Sequence, residues 1–220
     1  MKREEILEAL AQAVVVMDEE DAVRISRLAL QAGISAEDAI ENGLSQGMAK
    51  VGELFDSNEY FIPEVVVCAD TMYKGLEVLK TAVTKAPEPK GRIVIGVVEG
   101  DTHDIGKNIV AMLLESAGFE IHDLGRNVPA AQFVDRALQV DADIVAMSSL
   151  MTTTMEEMKI VIEKLRKNGE GQRPYCMVGG APISKSFADS IGADAYAANA
   201  PAAVKMARQL MERKGETRCD

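Results

Sequence analysis

Along the first 85 residues apolar positions recur every three or four residues, the spacing of helices with one buried face. Ile6, Leu7, Leu10, Val14 and Met17 line a first helix, and Val23, Ile25, Leu28 and Leu30 mark a second that stops at Gly33. Ser35, three residues before Asp38, fits the N-cap of a third helix with Ile40, Leu44, Met48, Val51 and Leu54 on its apolar face. Pro63 opens a fourth, which carries Val66, Val67, Met72, Leu76 and Leu79. The connections are short, so residues 1–85 are expected to form an antiparallel four-helix bundle.

From residue 92 the pattern changes. Short β-branched runs at 92–98, 119–123, 143–148, 175–179 and 194–197 alternate with helical stretches at 105–117, 130–139, 153–168, 184–190 and 201–213. Strict alternation with apolar strands predicts an α/β domain over 92–220, a parallel sheet covered on both faces. Five strands of this size favour the flavodoxin-like (Rossmann-like) order 2-1-3-4-5. Between the two patterns, two prolines, a glycine and charges within Lys85–Gly91 make 86–91 a linker and a natural hinge.

Composition removes several classes of function. A net charge of −11 turns the chain away from nucleic acid and from anionic membranes, and no basic stripe offsets it. The longest apolar runs are too short to span a bilayer. The opening Met1-Lys2-Arg3-Glu4-Glu5 turns acidic at once, unlike a signal peptide. Cys68, Cys176 and Cys219 are odd in number and in no metal spacing, as expected of reduced thiols in a cytoplasmic protein. The twelve methionines read as adaptable core filler.

The candidate chemistry gathers where strands end. Gly100-Asp101-Thr102-His103-Asp104-Ile105-Gly106 joins the first strand to the first helix of the α/β domain, at the edge where such sheets bind ligands. An imidazole held there by a carboxylate keeps its other ring nitrogen free as a metal donor. Other strands end at the same edge in Ser148-Ser149-Leu150, followed by Thr152 and Thr154, in Gly179-Gly180, and ahead of Asn199-Ala200. The paired glycines offer room for a bulky ligand to approach the backbone, and the hydroxyls can bond its polar groups. His122, inside a strand, reads as structural. No Gly-x-Gly-x-x-Gly follows any strand and no P-loop occurs, so dinucleotide and phosphate sites of those types are unsupported.

Asp101-x-His103-x-x-Gly106, then Ser148-x-Leu150 45 residues after the histidine, then Gly179-Gly180, resembles the signature of cobalamin-binding domains. The resemblance implies that His103 replaces the cofactor's own base as the lower cobalt ligand (base-off, His-on). Asp101 would hydrogen-bond His103, and Ser148 would extend that relay. Gly100, Thr102, Asp104, Ile105, Gly106, Leu150, Thr152, Thr154, Gly179, Gly180, Asn199 and Ala200 would line the corrin edge and the slot for its nucleotide tail. In the helical half, Glu41-Asn42-Gly43, Met48–Phe55 and Tyr60–Val65 resemble the cap of methionine synthase and of small methyl-carrying corrinoid proteins. Glu41, Met48, Phe55 and Ile62 would then face the cofactor from above.

A cap plus a cobalamin domain resembles the stand-alone corrinoid proteins of methylamine, methanol and methoxy-compound methyltransferase systems. Such proteins carry a methyl group on cobalt, with methylcob(III)alamin, cob(I)alamin and cob(II)alamin as the implied cofactor states. The implied partners are a substrate-specific methyltransferase (favoured here, one acting on methylamines or quaternary amines), a second methyltransferase serving coenzyme M or tetrahydrofolate, and a reductive activase. The rivals are a cobalamin-dependent regulator, the cobalamin subunit of a mutase, and an acidic signalling domain with Asp101 as phosphoacceptor. This chain has neither the tryptophan nor the basic module expected of such a regulator.

Overall fold

The computed structural model describes residues 2–82, 88–168 and 173–217. It divides into two compact units, Met1–Glu88 and Pro89–Asp220. Of the expected linker, residues 86 and 87 lie outside the described residues.

The first unit comprises α1 (Arg3–Val15), α2 (Glu19–Gln31), α3 (Ala36–Ala39), a π-helical turn (Ile40–Leu44), α4 (Ser45–Asp56) and α5 (Ile62–Lys80). Asp18 caps α2 by accepting from the Asp21 amide, and Ser35 caps α3 by accepting from the Asp38 amide. The backbone stays right-handed helical through Ala39, Ile40, Leu44 and Ser45, so α3, the π turn and α4 form the one continuous third helix that periodicity predicts. The π turn itself is a finding, since one extra residue per turn leaves no mark on a short apolar pattern. Gly43 and Gly47 let this helix lie directly on α1. A Cβ at Gly43 would fall 2.8 Å from Leu10 Cδ2, and one at Gly47 would fall 2.7 Å from the Ala11 carbonyl.

The buried face of α2 differs from the expected one. Ala22, Ile25, Ser26 and Ala29 are buried, while Val23, Leu28 and Leu30 are only half-buried. Small residues allow the helices to approach, and the larger ones flank that seam. Met17 lies just past α1 in a left-handed conformation, at φ +61°.

The second unit alternates β1 (Arg92–Val97), α6 (Ile105–Ser116), β2 (Glu120–Asp123), α7 (Ala130–Gln139), β3 (Ile144–Ser148), α8 (Glu157–Asn168), β4 (Tyr175–Gly179), α9 (Lys185–Ile191), β5 (Ala195–Ala197) and α10 (Ala200–Thr217). All pairings are parallel, in the order β2-β1-β3-β4-β5. One core lies on each face of the sheet, one around Phe133, Met158 and Ile162 and the other around Leu114, Phe119 and Leu210. Val97, Ser148, Gly179 and Ala197 stand in one register row, so four strands deliver their loops to the same edge. At the opposite edge Asp143 accepts from the Arg92 amide and the Lys214 ammonium. Helix α8 starts later than 153 because the threonine run closes tighter turns, with the Thr154 amide and hydroxyl both donating to the Met151 carbonyl.

Gly47→Ala is expected to destabilise the first unit by about 1–3 kcal/mol, because the clash with Ala11 outweighs the helix propensity gained. Chemical denaturation should show a lower midpoint; an unchanged or raised midpoint would mean that α1 and α4 are not held at this spacing.

Candidate functional site

The site is built outward from one buried carboxylate. Asp101 has no exposed surface although it sits in a loop. Its Oδ1 accepts from the His103 backbone amide at 3.0 Å and from His103 Nδ1 at 2.8 Å. Its Oδ2 accepts from the Leu150 amide at 2.6 Å and from the Ser149 hydroxyl at 3.2 Å. The Ser149 and Thr154 hydroxyls lie 2.9 Å apart, and Thr154 also donates to the Met151 carbonyl. Burial pushes the Asp101 carboxyl up, but these four donors outweigh it and hold its pKa down at about 2. It is therefore a fixed anion at neutral pH.

That anion sets the histidine. A carboxylate can only accept, so Nδ1 of His103 carries the shared proton, and in the neutral ring that tautomer leaves the lone pair on Nε2. The side chain is 53% exposed, and Nε2 has no partner among the described residues. Beside it Ile105 is 74% exposed on the first turn of α6. A Cβ at Gly106 would meet nothing within 4 Å, so the ground next to the ring is open. Leu150 and Met151 are also exposed at this edge. Among the described residues no group of three or more His, Cys, Asp or Glu could hold a metal ion. A lone imidazole donor suits a metal already held in a macrocycle.

Several expected positions are corrected. The serine that reaches Asp101 is Ser149, not Ser148. Ser148 is the last residue of β3, in register with Val97 and Gly179, and side chains alternate across a strand. Thr154 is buried behind Ser149 instead of lining a slot for the nucleotide tail. The empty side of Gly180 is filled by the protein, since at φ +126° a Cβ would fall 1.9 Å from the Ser149 carbonyl. A Cβ at Gly179 would likewise fall 2.8 Å from the Ala197 carbonyl. These glycines let the loops pack on each other, and that packing places Ser149.

Thr102, Thr152 and Gly180 are exposed, Asp104 is half-buried as the N-cap of α6, and Ala200, also half-buried, opens α10. Asn199 Oδ1 accepts from the Ala202 amide and so caps α10. The remaining expected residues belong to the helical unit. Glu41 is exposed within the π turn, Phe55 is half-buried, and Ile62 is exposed at the start of α5. Met48 is buried in the stripe that it shares with Leu44 and Val51, a packing position and not an open one.

The sequence reading missed two further groups. Asn127 Oδ1 accepts from the Gly100 amide, and the buried Lys107 pairs with Asp123. The turn-forming run Leu124-Gly125-Arg126-Asn127 hinted at the first. Nothing marked Lys107, since a lysine in the first turn of a helix normally faces water.

A family described as the B12 binding domain matches residues 91–205, over half the chain, and a second family of that description matches residues 6–80. Dimethylamine corrinoid protein 2 of Methanosarcina acetivorans is 45% identical over 95% of this chain and 97% of its own length. The chain belongs to the B12-binding corrinoid proteins. It is also similar to trimethylamine corrinoid protein 1 of the same organism, at 42% identity over 95% of this chain and 98% of that one. Among solved structures it resembles a chain of the methanol:cobalamin methyltransferase complex MtaBC from Methanosarcina barkeri. That match has a TM-score of 0.83 and 34% identity, covering 94% of this chain and 80% of that one. A corrinoid is thus the cofactor of this protein. The donor set fits it: one outward imidazole nitrogen, an apolar rim and open space at Gly106.

The two glycines at this edge should respond in opposite ways in cofactor-free protein. Gly180→Ala is expected to cost at least about 2 kcal/mol, because both the clash and the left-handed backbone oppose it. Gly106→Ala should be neutral or stabilise the helix by up to about 1 kcal/mol. Thermal unfolding of both variants checks this, and equal effects would contradict the packing described.

Proposed function

We propose that this corrinoid protein carries a methyl group from a methyltransferase acting on a methylated amine to a second methyltransferase serving a thiol or tetrahydrofolate acceptor. His103 would hold the corrinoid's cobalt through Nε2. The observation that carries this is the lock on the ring: Nδ1 is committed to a buried, fully satisfied carboxylate while Nε2 faces open ground. When bound, the corrinoid supplies a cobalt centre that takes up a methyl cation and releases it to a nucleophile.

The chain's own residues supply orientation and charge. Asp101 fixes the tautomer and raises the donor strength of His103. Ser149, Thr154 and the Leu150 amide keep Asp101 ionised and in place, so the acceptor that holds the ring at Nδ1 is itself fixed. Ile105 and Leu150 offer apolar surface to the flat face of a macrocycle. Phe55 and Ile62 of the helical unit would offer further apolar contact to the cofactor. A reductive activase restores the protein after oxidation.

The amine donor is supported by the dimethylamine and trimethylamine relatives, which are closer in sequence than the methanol system. No residue points instead to a regulator or a mutase subunit.

Reconstitution with hydroxocobalamin tests the ligand. The wild type should give a histidine-coordinated spectrum, and His103→Ala should lose it and bind at least about tenfold more weakly. Gly106→Ala should bind more weakly with its cofactor-free fold intact. With the methyl-donor enzyme that co-purifies, dimethylamine or trimethylamine should methylate cobalt while methanol does not. An unchanged spectrum in His103→Ala would overturn the ligand assignment, and methylation by methanol alone would overturn the donor class.

A further inference from the structure

The histidine loop is held from a second side, by the residues that leave β2. Leu124 and Val128 donate backbone hydrogen bonds to the Ile95 and Val97 carbonyls, and Val97 donates to the Gly125 carbonyl. This seats 124–128 alongside the end of β1. From that seat Asn127 Oδ1 accepts from the Gly100 amide at 2.7 Å, while the Asn127 amide donates to the Asp101 carbonyl at 2.9 Å. Beyond His103, the Lys107 ammonium pairs with Asp123 Oδ2, and Asp123 Oδ1 accepts from the Gly125 amide. The eight residues from Gly100 to Lys107 are thus fastened at one end to the loop that leaves β2 and at the other to the last residue of β2.

Both fastenings are costly to build. Asn127 adopts φ +53°, a left-handed conformation that asparagine tolerates better than most residues. Lys107 is 2% exposed within the first turn of α6, where the helix dipole already disfavours a cation and burial disfavours it further. Filling the core would need neither a charge nor a strained backbone. Their shared effect is to fix where His103 stands relative to the sheet.

We propose that Asn127 and the Lys107–Asp123 pair are positioning residues that hold the His103 loop in its metal-binding conformation before any cofactor arrives. This rests on His103 being the cobalt ligand. Neither residue touches the metal; both act through the loop, so that binding does not have to order it.

Asn127→Gly keeps the backbone conformation accessible and removes only the side-chain acceptor. In cofactor-free protein the Gly100 amide should exchange hydrogen about tenfold faster, with the unfolding midpoint close to wild type. Hydroxocobalamin should then bind about tenfold more weakly. Asn127→Asp, which keeps the acceptor, should restore both exchange and affinity. Lys107→Met, which keeps side-chain length without charge, should weaken binding similarly, and it carries the same test if Asn127→Gly does not fold. Wild-type exchange and affinity in these variants, or no rescue by Asn127→Asp, would overturn the proposal. Failure of the wild type itself to bind cobalamin would strike the His103 assignment instead, while the exchange measurement would still judge the loop.

Discussion

The hydrogen bond between Asp101 and His103 is the interaction on which the site depends. A loop imidazole free in water samples many orientations and exchanges its ring proton between nitrogens. Here a carboxylate without exposed surface accepts from the histidine twice, through backbone and ring, and so fixes both the loop and the tautomer. The carboxylate remains charged in that position because, beside the two histidine donors, the Leu150 amide and Ser149 reach it from the end of β3. Those donors arrive because β1 and β3 are paired in register and because Gly180 makes room for Ser149. The sheet, the glycine and the hydroxyls are thus all preconditions for one lone pair.

This explains a division of labour within the second unit. The edge of the sheet that begins the strands is tied by ion pairs such as Lys214–Asp143 and Arg173–Asp194, which hold elements together. The edge that ends them spends its polar groups on a single orientation. The helical unit is built differently, with small residues on α2 and glycines facing α1 allowing close helix packing around aliphatic side chains.

Much of the fold was legible because each element obeys its own period. β-branched runs separated by helical stretches specify a parallel sheet, and the loop between Val98 and Ile105 announced the site. What escaped was set by tertiary contact. The choice between Ser148 and Ser149 is a question of which face of β3 each side chain takes, and adjacent serines look alike in a sequence. Gly179-Gly180 suggested space for a ligand, yet Gly180 answers to the backbone of Ser149. The π turn at Ile40–Leu44 is invisible to periodicity over five residues. Lys107 and Asn127 gain meaning only when β2 lies beside β1.

Electron paramagnetic resonance of cob(II)alamin bound to protein grown on 15N-histidine tests the central claim most directly. An axial 14N splits each cobalt line into a triplet, whereas an axial 15N splits it into a doublet. Doublets that vanish in a His103→Ala variant are the predicted result. Triplets from the cofactor's own base, or no nitrogen splitting, would contradict the account.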